Sequence, residues 1–161
     1  MILELLESHG ITYQRVDHPP VFTCEDVRRL VPGLPGAETK NLFVRDGKGR
    51  RHFLVAVRPE KRVDLKRLGL ALEVSGLRMA SAESLAEFLG VETGAVTLLG
   101  AMNDTHGAVE VIIDEELWAE RAFQCHPLVN TSTLVLTKEA LTRFFEITRH
   151  TPRVIVVPAR A

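Results

Sequence analysis

Three polar segments carry residue types that a hydrophobic core does not call for. Glu38-Thr39-Lys40-Asn41 sets an amine beside an amide at the entrance to an apolar stretch. A lysine supplies a point positive charge that can hold a phosphate or steady a developing oxyanion. Taken alone, Lys40 is more often an ordinary surface residue. Leu99-Gly100-Ala101-Met102-Asn103-Asp104 contains a glycine that permits close backbone approach to a ligand, although Asn103-Asp104 by itself reads as a turn. In Cys125-His126-Pro127-Leu128-Val129-Asn130-Thr131 the proline favours extended backbone at His126 and fixes the chain direction. An imidazole held this way can orient a substrate or a water, though a lone histidine in such a place is more often a structural hydrogen-bonder.

Other chemistries are weaker. Cys24, His126 and Asn130 occur in the order of some cysteine hydrolases, and a helix N-terminus lowers a thiol pKa. Cys24 nevertheless sits among helix-capping residues and lacks a nucleophile signature. His18, His106, Cys125 and His126 offer donors without the paired spacing of zinc ligands, so no metal site is expected. Glycines 33, 36, 47 and 49 form neither a P-loop nor a dinucleotide fingerprint, and no cofactor is implied. One Trp and one Tyr provide poorly for extended stacking on single-stranded bases.

The elements that must position these segments follow from periodicity and capping. Ile2, Leu3, Leu5 and Leu6 before Gly10 predict a short amphipathic helix, and Thr12 to His18 a strand ended by Pro19-Pro20. Thr23 caps a helix that stops near Pro32, with Glu25 and Asp26 in its first turn. Leu42 to Val44 and His52 to Val57 flank Asp46-Gly47-Lys48-Gly49, a strong hairpin signal placed at the centre of a sheet. Asp64 caps a helix to Leu70, Leu77 to Met79 is a short strand, and Ser81 caps a helix ending at Gly90. Strands follow at Val109 to Asp114, near Phe123 and at Thr133 to Leu136, then a helix from Lys138 to Thr148 and a last strand at Val154 to Val157. Hairpins mixed with helical connections predict an α+β fold, one mixed sheet surrounded by helices, forming a single domain over residues 1–161.

The 161 residues suffice for one sizeable core, and 45% hydrophobic with 25% charged residues is the balance of a folded globular chain. The net charge of -1 gives no global sign of a nucleic-acid or membrane partner. By position the charge is segregated: residues 28–78 carry 13 basic and 5 acidic side chains, or +8, and the remainder carries −9. Arg45, Lys48, Arg50, Arg51, Lys61 and Arg62 could form a surface for a polyanion. Two cysteines are too few for a disulfide framework, acidic residues stand where a signal peptide wants positive ones, and no apolar run approaches a membrane span. The expected location is the cytoplasm, with no membrane partner.

Taken together and in order, His18-Pro19-Pro20-Val21-Phe22-Thr23, Thr39-Lys40-Asn41-Leu42-Phe43, Gly90-Val91 with Gly94-Ala95-Val96-Thr97, Asn103-Asp104 and His126-Pro127-Leu128-Val129-Asn130-Thr131 resemble the YbaK/ProX family. This is the superfamily of aminoacyl-tRNA editing domains that includes the insertion domain of bacterial prolyl-tRNA synthetase. Within it, the chain is most similar to the freestanding ProX deacylases, which hydrolyse alanine mischarged onto proline tRNA. The resemblance implies a mixed sheet with a pocket between the sheet and the Lys40, Gly100 and His126 loops. It implies that Lys40 is the residue on which deacylation depends and that water, not a side chain, attacks the ester. Asn41 would bind the terminal nucleotide or amino acid, the Gly100 backbone and Phe22 would bound the pocket, His126 and Pro127 would line its far side, and Asn130 and Thr131 would hold that loop. The implied partners are misacylated tRNA and prolyl-tRNA synthetase. The alternatives within this reading are a deacylase for cysteine or serine, or a non-catalytic module binding tRNA or a synthetase. One departure stands out: the insertion domains carry a Gly-x-x-x-Pro loop, whereas Phe123 stands four residues before Pro127.

Overall fold

In the computed structural model, which describes residues 1–161 with the side chain of Cys24 excepted, local sequence signals fix most element ends. Helix α1 (Ile2–Ser8) leads into strand β1 (Gln14–Asp17), and α2 (Cys24–Leu30) starts where the Thr23 hydroxyl accepts the Asp26 amide at 3.1 Å. Strands β2 (Lys40–Arg45) and β3 (His52–Val57) form the predicted antiparallel hairpin. Asp64 caps α3 (Leu65–Ala71), β4 (Arg78–Met79) follows, and Ser81 caps α4 (Ala82–Leu89), which Gly90 ends in the left-handed conformation at φ 65°. After two 3-10 turns, Thr93–Ala95 and Leu98–Asn103, come β5 (Val109–Asp114), the short α5 (Glu115–Trp118), β6 (Ala122–Cys125), β7 (Ser132–Thr137), α6 (Lys138–Thr148) and β8 (Arg153–Ile155).

The strands divide between two sheets. One has five strands in the order β4-β2-β3-β5-β8, antiparallel on the hairpin side and parallel from β3 to β8; the other is an antiparallel β1-β7-β6 sheet. β3 is central in the larger sheet, and every one of its residues is buried. Alternation along it separates two cores. Leu54 and Ala56 face a large cluster with Phe43, Leu89, Leu99, Phe123, Leu134 and Phe144, whereas Phe53, Val55 and Val57 face a smaller one with Leu68, Leu72 and Ile112.

One short crossing joins the sheets and sets the site. The Ala37 amide donates to the Ala122 carbonyl and the Gln124 amide donates to the Ala37 carbonyl, both at 2.8 Å. The Thr39 hydroxyl then donates to the Gln124 carbonyl at 2.7 Å. The chain entering β2 is therefore laced to β6, which brings Lys40, the first residue of β2, beside His126, the residue after β6.

Candidate functional site

An open cleft of about 410 Å³ lies at this junction. Phe22 and Thr23 come from the turn before α2 and Arg28 from its last turn, Thr39, Lys40 and Asn41 from the entry and start of β2, Gly94 and Val96 from the 3-10 region, and His126 from just past the end of β6. The Lys40, Asn41, Phe22 and His126 segments, far apart in sequence, thus meet around one space.

Lys40 is half-buried, and its ammonium donates to the backbone carbonyl of Lys61. Asn41 Nδ2 reaches the Thr39 hydroxyl at 3.4 Å, while its Oδ1 is buried without a hydrogen-bond partner among the described residues. A buried acceptor in that state costs free energy until a donor arrives. His126 Nδ1 donates to the Ser132 carbonyl at 3.2 Å, which leaves Nε2 as the lone-pair nitrogen of the neutral ring. Burial pushes the His126 pKa below the ordinary histidine value, and nearby His18 adds to that against the opposing Ser132 bond. Behind the cleft is a hole of about 30 Å³ lined by Thr23, Thr39, Cys125, His126 and Thr133 among others, room for one water or a methyl group. Burial raises the Cys125 thiol to about 12, so no thiolate is present at neutral pH. Cys24, the other cysteine weighed above, lies outside the described side chains.

Other expected residues sit elsewhere. Gly100 is buried under α4, where an added Cβ would stand 3.0 Å from Leu89 Cβ; it is a packing glycine and does not line the cleft. Gly94, unremarked except within the family motif, is the glycine at the site. Pro127 is buried and absent from the cleft lining. Asn130 and Thr131 are fasteners: Asn130 Nδ2 donates to the Val21 carbonyl at 2.9 Å, its own carbonyl accepts the Val21 amide at 3.1 Å, and the Thr131 carbonyl accepts the His18 amide at 3.0 Å. Phe123, at the departure from the Gly-x-x-x-Pro loop, is a core residue stacked on Trp118 at 5.4 Å.

The basic residues do not form one patch. Arg45 lies roughly 17 Å along β2 from Lys40 at about 3.3 Å per residue, and the turn carrying Lys48 and Arg50 is farther still. Arg51 is held by both oxygens of Glu110 at 2.7 and 2.9 Å. Lys61, 13% exposed, is spent inside the fold on Asp114 at 2.6 Å and the Val157 carbonyl at 3.0 Å, which removes it from any polyanion surface. Arg62 is exposed beside it. No hydropathy signal in the sequence separates the internal cation at 61 from its exposed neighbour.

Comparison with known proteins decides the family. A model of the aminoacyl-tRNA editing domain matches residues 18–144. The chain belongs to the YbaK/ProX aminoacyl-tRNA editing family. It is 39% identical over 154 residues to "Prolyl-tRNA synthetase associated domain-containing protein 1" of Danio rerio, covering 94% of this chain and 83% of that one. It is 32% identical to "Prolyl-tRNA editing protein ProX" of Acetoanaerobium sticklandii, covering 96% and 94%. The fold of this editing domain also matches the crystal structure of a candidate trans-editing enzyme for prolyl tRNA synthetase, with TM-score 0.74 over 99% of this chain and 95% of that one at 19% identity. Within the editing domain, the matched span contains Phe22, Lys40, Asn41, Gly94 and His126, the residues that surround the cleft.

Proposed function

We propose that this protein is a trans-editing hydrolase of the cytoplasm that deacylates misacylated tRNA, with Ala-tRNA(Pro) as substrate. The observation that carries the reading is the meeting of Lys40, Asn41 and His126 around one open cleft, in a chain whose relative from Acetoanaerobium sticklandii is named a prolyl-tRNA editing protein.

Water adds to the ester carbonyl carbon, the carbonyl oxygen becomes an oxyanion, and collapse releases the ribose hydroxyl and the free amino acid. The Lys40 ammonium stabilises the negative charge of the oxyanion or of the neighbouring phosphate. Its bond to the Lys61 carbonyl fixes where that charge stands. The neutral His126 ring takes the proton of the attacking water at Nε2 and, on collapse, passes it to the departing ribose oxygen, which regenerates the neutral ring. Asn41 Oδ1, buried and lacking a donor, receives the α-ammonium of the amino acid. The hole of about 30 Å³ beside His126 accepts a methyl group and leaves no room for a pyrrolidine ring, so alanine is taken and cognate proline is spared. An aminoacyl ester is already labile, and positioning with charge stabilisation suffices for its hydrolysis.

In this proposal the exposed Lys48, Arg50 and Arg62, with the half-buried Arg45, meet the acceptor stem, and prolyl-tRNA synthetase is the partner that generates the substrate. A deacylation panel of Ala-, Ser-, Cys- and Pro-tRNA(Pro) with the purified protein tests it. Alanine release should be fastest and Pro-tRNA(Pro) should remain intact. Preferential release of serine or cysteine would move the substrate assignment, and turnover of none would replace the enzyme by a binding module.

A further inference from the structure

Phe22 is 73% exposed, an unusual state for a phenylalanine, yet its surroundings hold it in place. Its amide donates to Asp26 Oδ2 at 3.1 Å, and the preceding Val21 is clasped on both its amide and its carbonyl by Asn130. The ring lies over Gly94: a Cβ there would come within 2.9 Å of Phe22 Cδ1 and 3.3 Å of Cε1, so only glycine lets the ring take this position. Phe22 and Gly94 form the partition between the Lys40 cleft and a second cleft of about 390 Å³.

The second cleft has a different chemistry. Val91, Ala95, Leu128 and Val129 supply apolar walls, Asn130 and Thr131 add neutral polar groups, and Glu92 is its only charged lining residue among the described residues. It contains no cation for a phosphate. It is too large and open to select a methyl group. A flat, uncharged heterocycle with hydrogen-bonding edges suits it, with one face against an aromatic ring. Leu128 is held at φ 68°, a backbone conformation that leucine rarely adopts, and the residue lines this cleft.

We propose that this second cleft is a nucleobase subsite, in which the base of the terminal nucleotide stacks on Phe22 while its ribose ester reaches across the partition to Lys40. The proposal rests on the deacylase reading for the identity of the nucleotide, and binding tests it separately from turnover. A base on an aromatic platform gains roughly tenfold or more in affinity.

The experiment compares an unacylated acceptor-stem RNA ending in CCA with the same RNA whose terminal ribose lacks its base, by fluorescence anisotropy. Wild-type protein should bind the intact RNA about tenfold more tightly. Phe22→Leu should lose that difference and bind both RNAs alike, Phe22→Tyr should keep it, and Gly94→Ala should reduce it by displacing the ring. Thermal melts establish that each variant is folded. Equal binding of the two RNAs by wild type, or a base-dependent gain retained by Phe22→Leu, overturns the subsite. If the gain is present and alanine is never released from Ala-tRNA(Pro), the subsite stands and the hydrolase reading fails. A loss of affinity in Phe22→Leu that is the same for both RNAs marks Phe22 as a contact for something other than a base and also overturns the proposal.

Discussion

Lys61 Nζ lies 2.6 Å from Asp114 Oδ2, a carboxylate 1% exposed, and the backbone carbonyl of the same Lys61 receives the Lys40 ammonium. One residue thus connects the cation of the cleft to an internal ion pair. Asp114 closes the arrangement by accepting the Val157 amide at 3.0 Å through Oδ1. Burial works to lower the Lys61 pKa, but the hydrogen bond and charge of Asp114, with help from Glu116, more than offset it and hold the group above its ordinary value. Lys61 holds the Lys40 ammonium through its carbonyl and is anchored by Asp114, although its type and neighbours suggested a surface contact.

Removing one member of this pair strands the other. Asp114→Ala leaves the Lys61 ammonium with little solvent and should cost about 3–5 kcal/mol of stability. Asp114→Asn keeps an acceptor for Val157 and should cost less. Urea denaturation of the two variants measures both, and an Asp114→Ala protein as stable as wild type would show that the pair contributes nothing.

Lys40→Ala removes the charge from the cleft without opening the core. Deacylation of Ala-tRNA(Pro) should fall by about 100-fold or more, while the lost charged bond to the Lys61 carbonyl costs about 1.5–3 kcal/mol of stability. Single-turnover kinetics with a matched thermal melt separates the two effects. Undiminished turnover would remove Lys40 from the mechanism.

Element ends were legible where a cap or turn carries a local signature. Thr23, Asp64, Ser81 and Gly90 mark the ends of three helices, and Asp46 to Gly49 closes the hairpin. The Lys40, Asn41 and His126 segments were legible by residue type and order, and they meet in one cleft. What stayed hidden depends on contacts between distant residues. The joining of the two sheets rests on the pairing of Ala37 with Phe123, which has no periodic signal. Gly100 and Gly94 look alike in sequence, and only the position of Leu89 under one and Phe22 over the other distinguishes packing from site. The basic run from 45 to 62 reads as one surface until β2 spreads it along its length and Asp114 draws Lys61 inward.

Gly100→Ala tests that distinction. The new methyl would meet Leu89 Cβ at 3.0 Å in a buried position, so α4 must shift, and overpacking of this kind costs about 1–3 kcal/mol. The midpoint of thermal unfolding should drop while KM for aminoacyl-tRNA below that temperature stays the same. A selective rise in KM with no loss of stability would return Gly100 to the pocket wall.

In the proposed hydrolysis the depressed pKa of His126 sets the acid limb. Burial, the largest cause, keeps the ring neutral at pH values where an exposed histidine near 6.5 has begun to protonate. Activity that uses the Nε2 lone pair should therefore show an acid limb centred below pH 6.5. Stability follows the same sign: as pH drops through the unfolded value, the unfolded chain takes up a proton that the folded chain resists, and stability declines until the folded value is passed. His52 is also depressed, chiefly by burial, so only the part of the acid dependence removed by His126→Gln belongs to His126. Profiles of kcat/KM and of urea midpoints from about pH 5 to 8 check both statements. An acid limb centred at or above 6.5 contradicts a neutral His126 in catalysis.

Salt dependence should sort the basic residues by what their charge meets. An exposed cation that touches a phosphate releases counterions, and its removal lowers the slope of log affinity against log salt by about 1. Arg62→Ala and a Lys48→Ala, Arg50→Ala double variant should each flatten the slope for tRNA, because these side chains stand in solvent. Lys61→Met should leave the slope nearly unchanged and instead lower stability, because the Lys61 charge is already opposed by Asp114. Arg51→Ala should resemble Lys61→Met more than Arg62→Ala, since both guanidinium contacts go to Glu110 at 2.7 and 2.9 Å. Binding titrations across a tenfold salt range decide the order. A slope that responds to Lys61 or Arg51 and ignores Arg62, Lys48 and Arg50 would mean that these two ion pairs open when tRNA binds and that the exposed arginines and lysine face away from it.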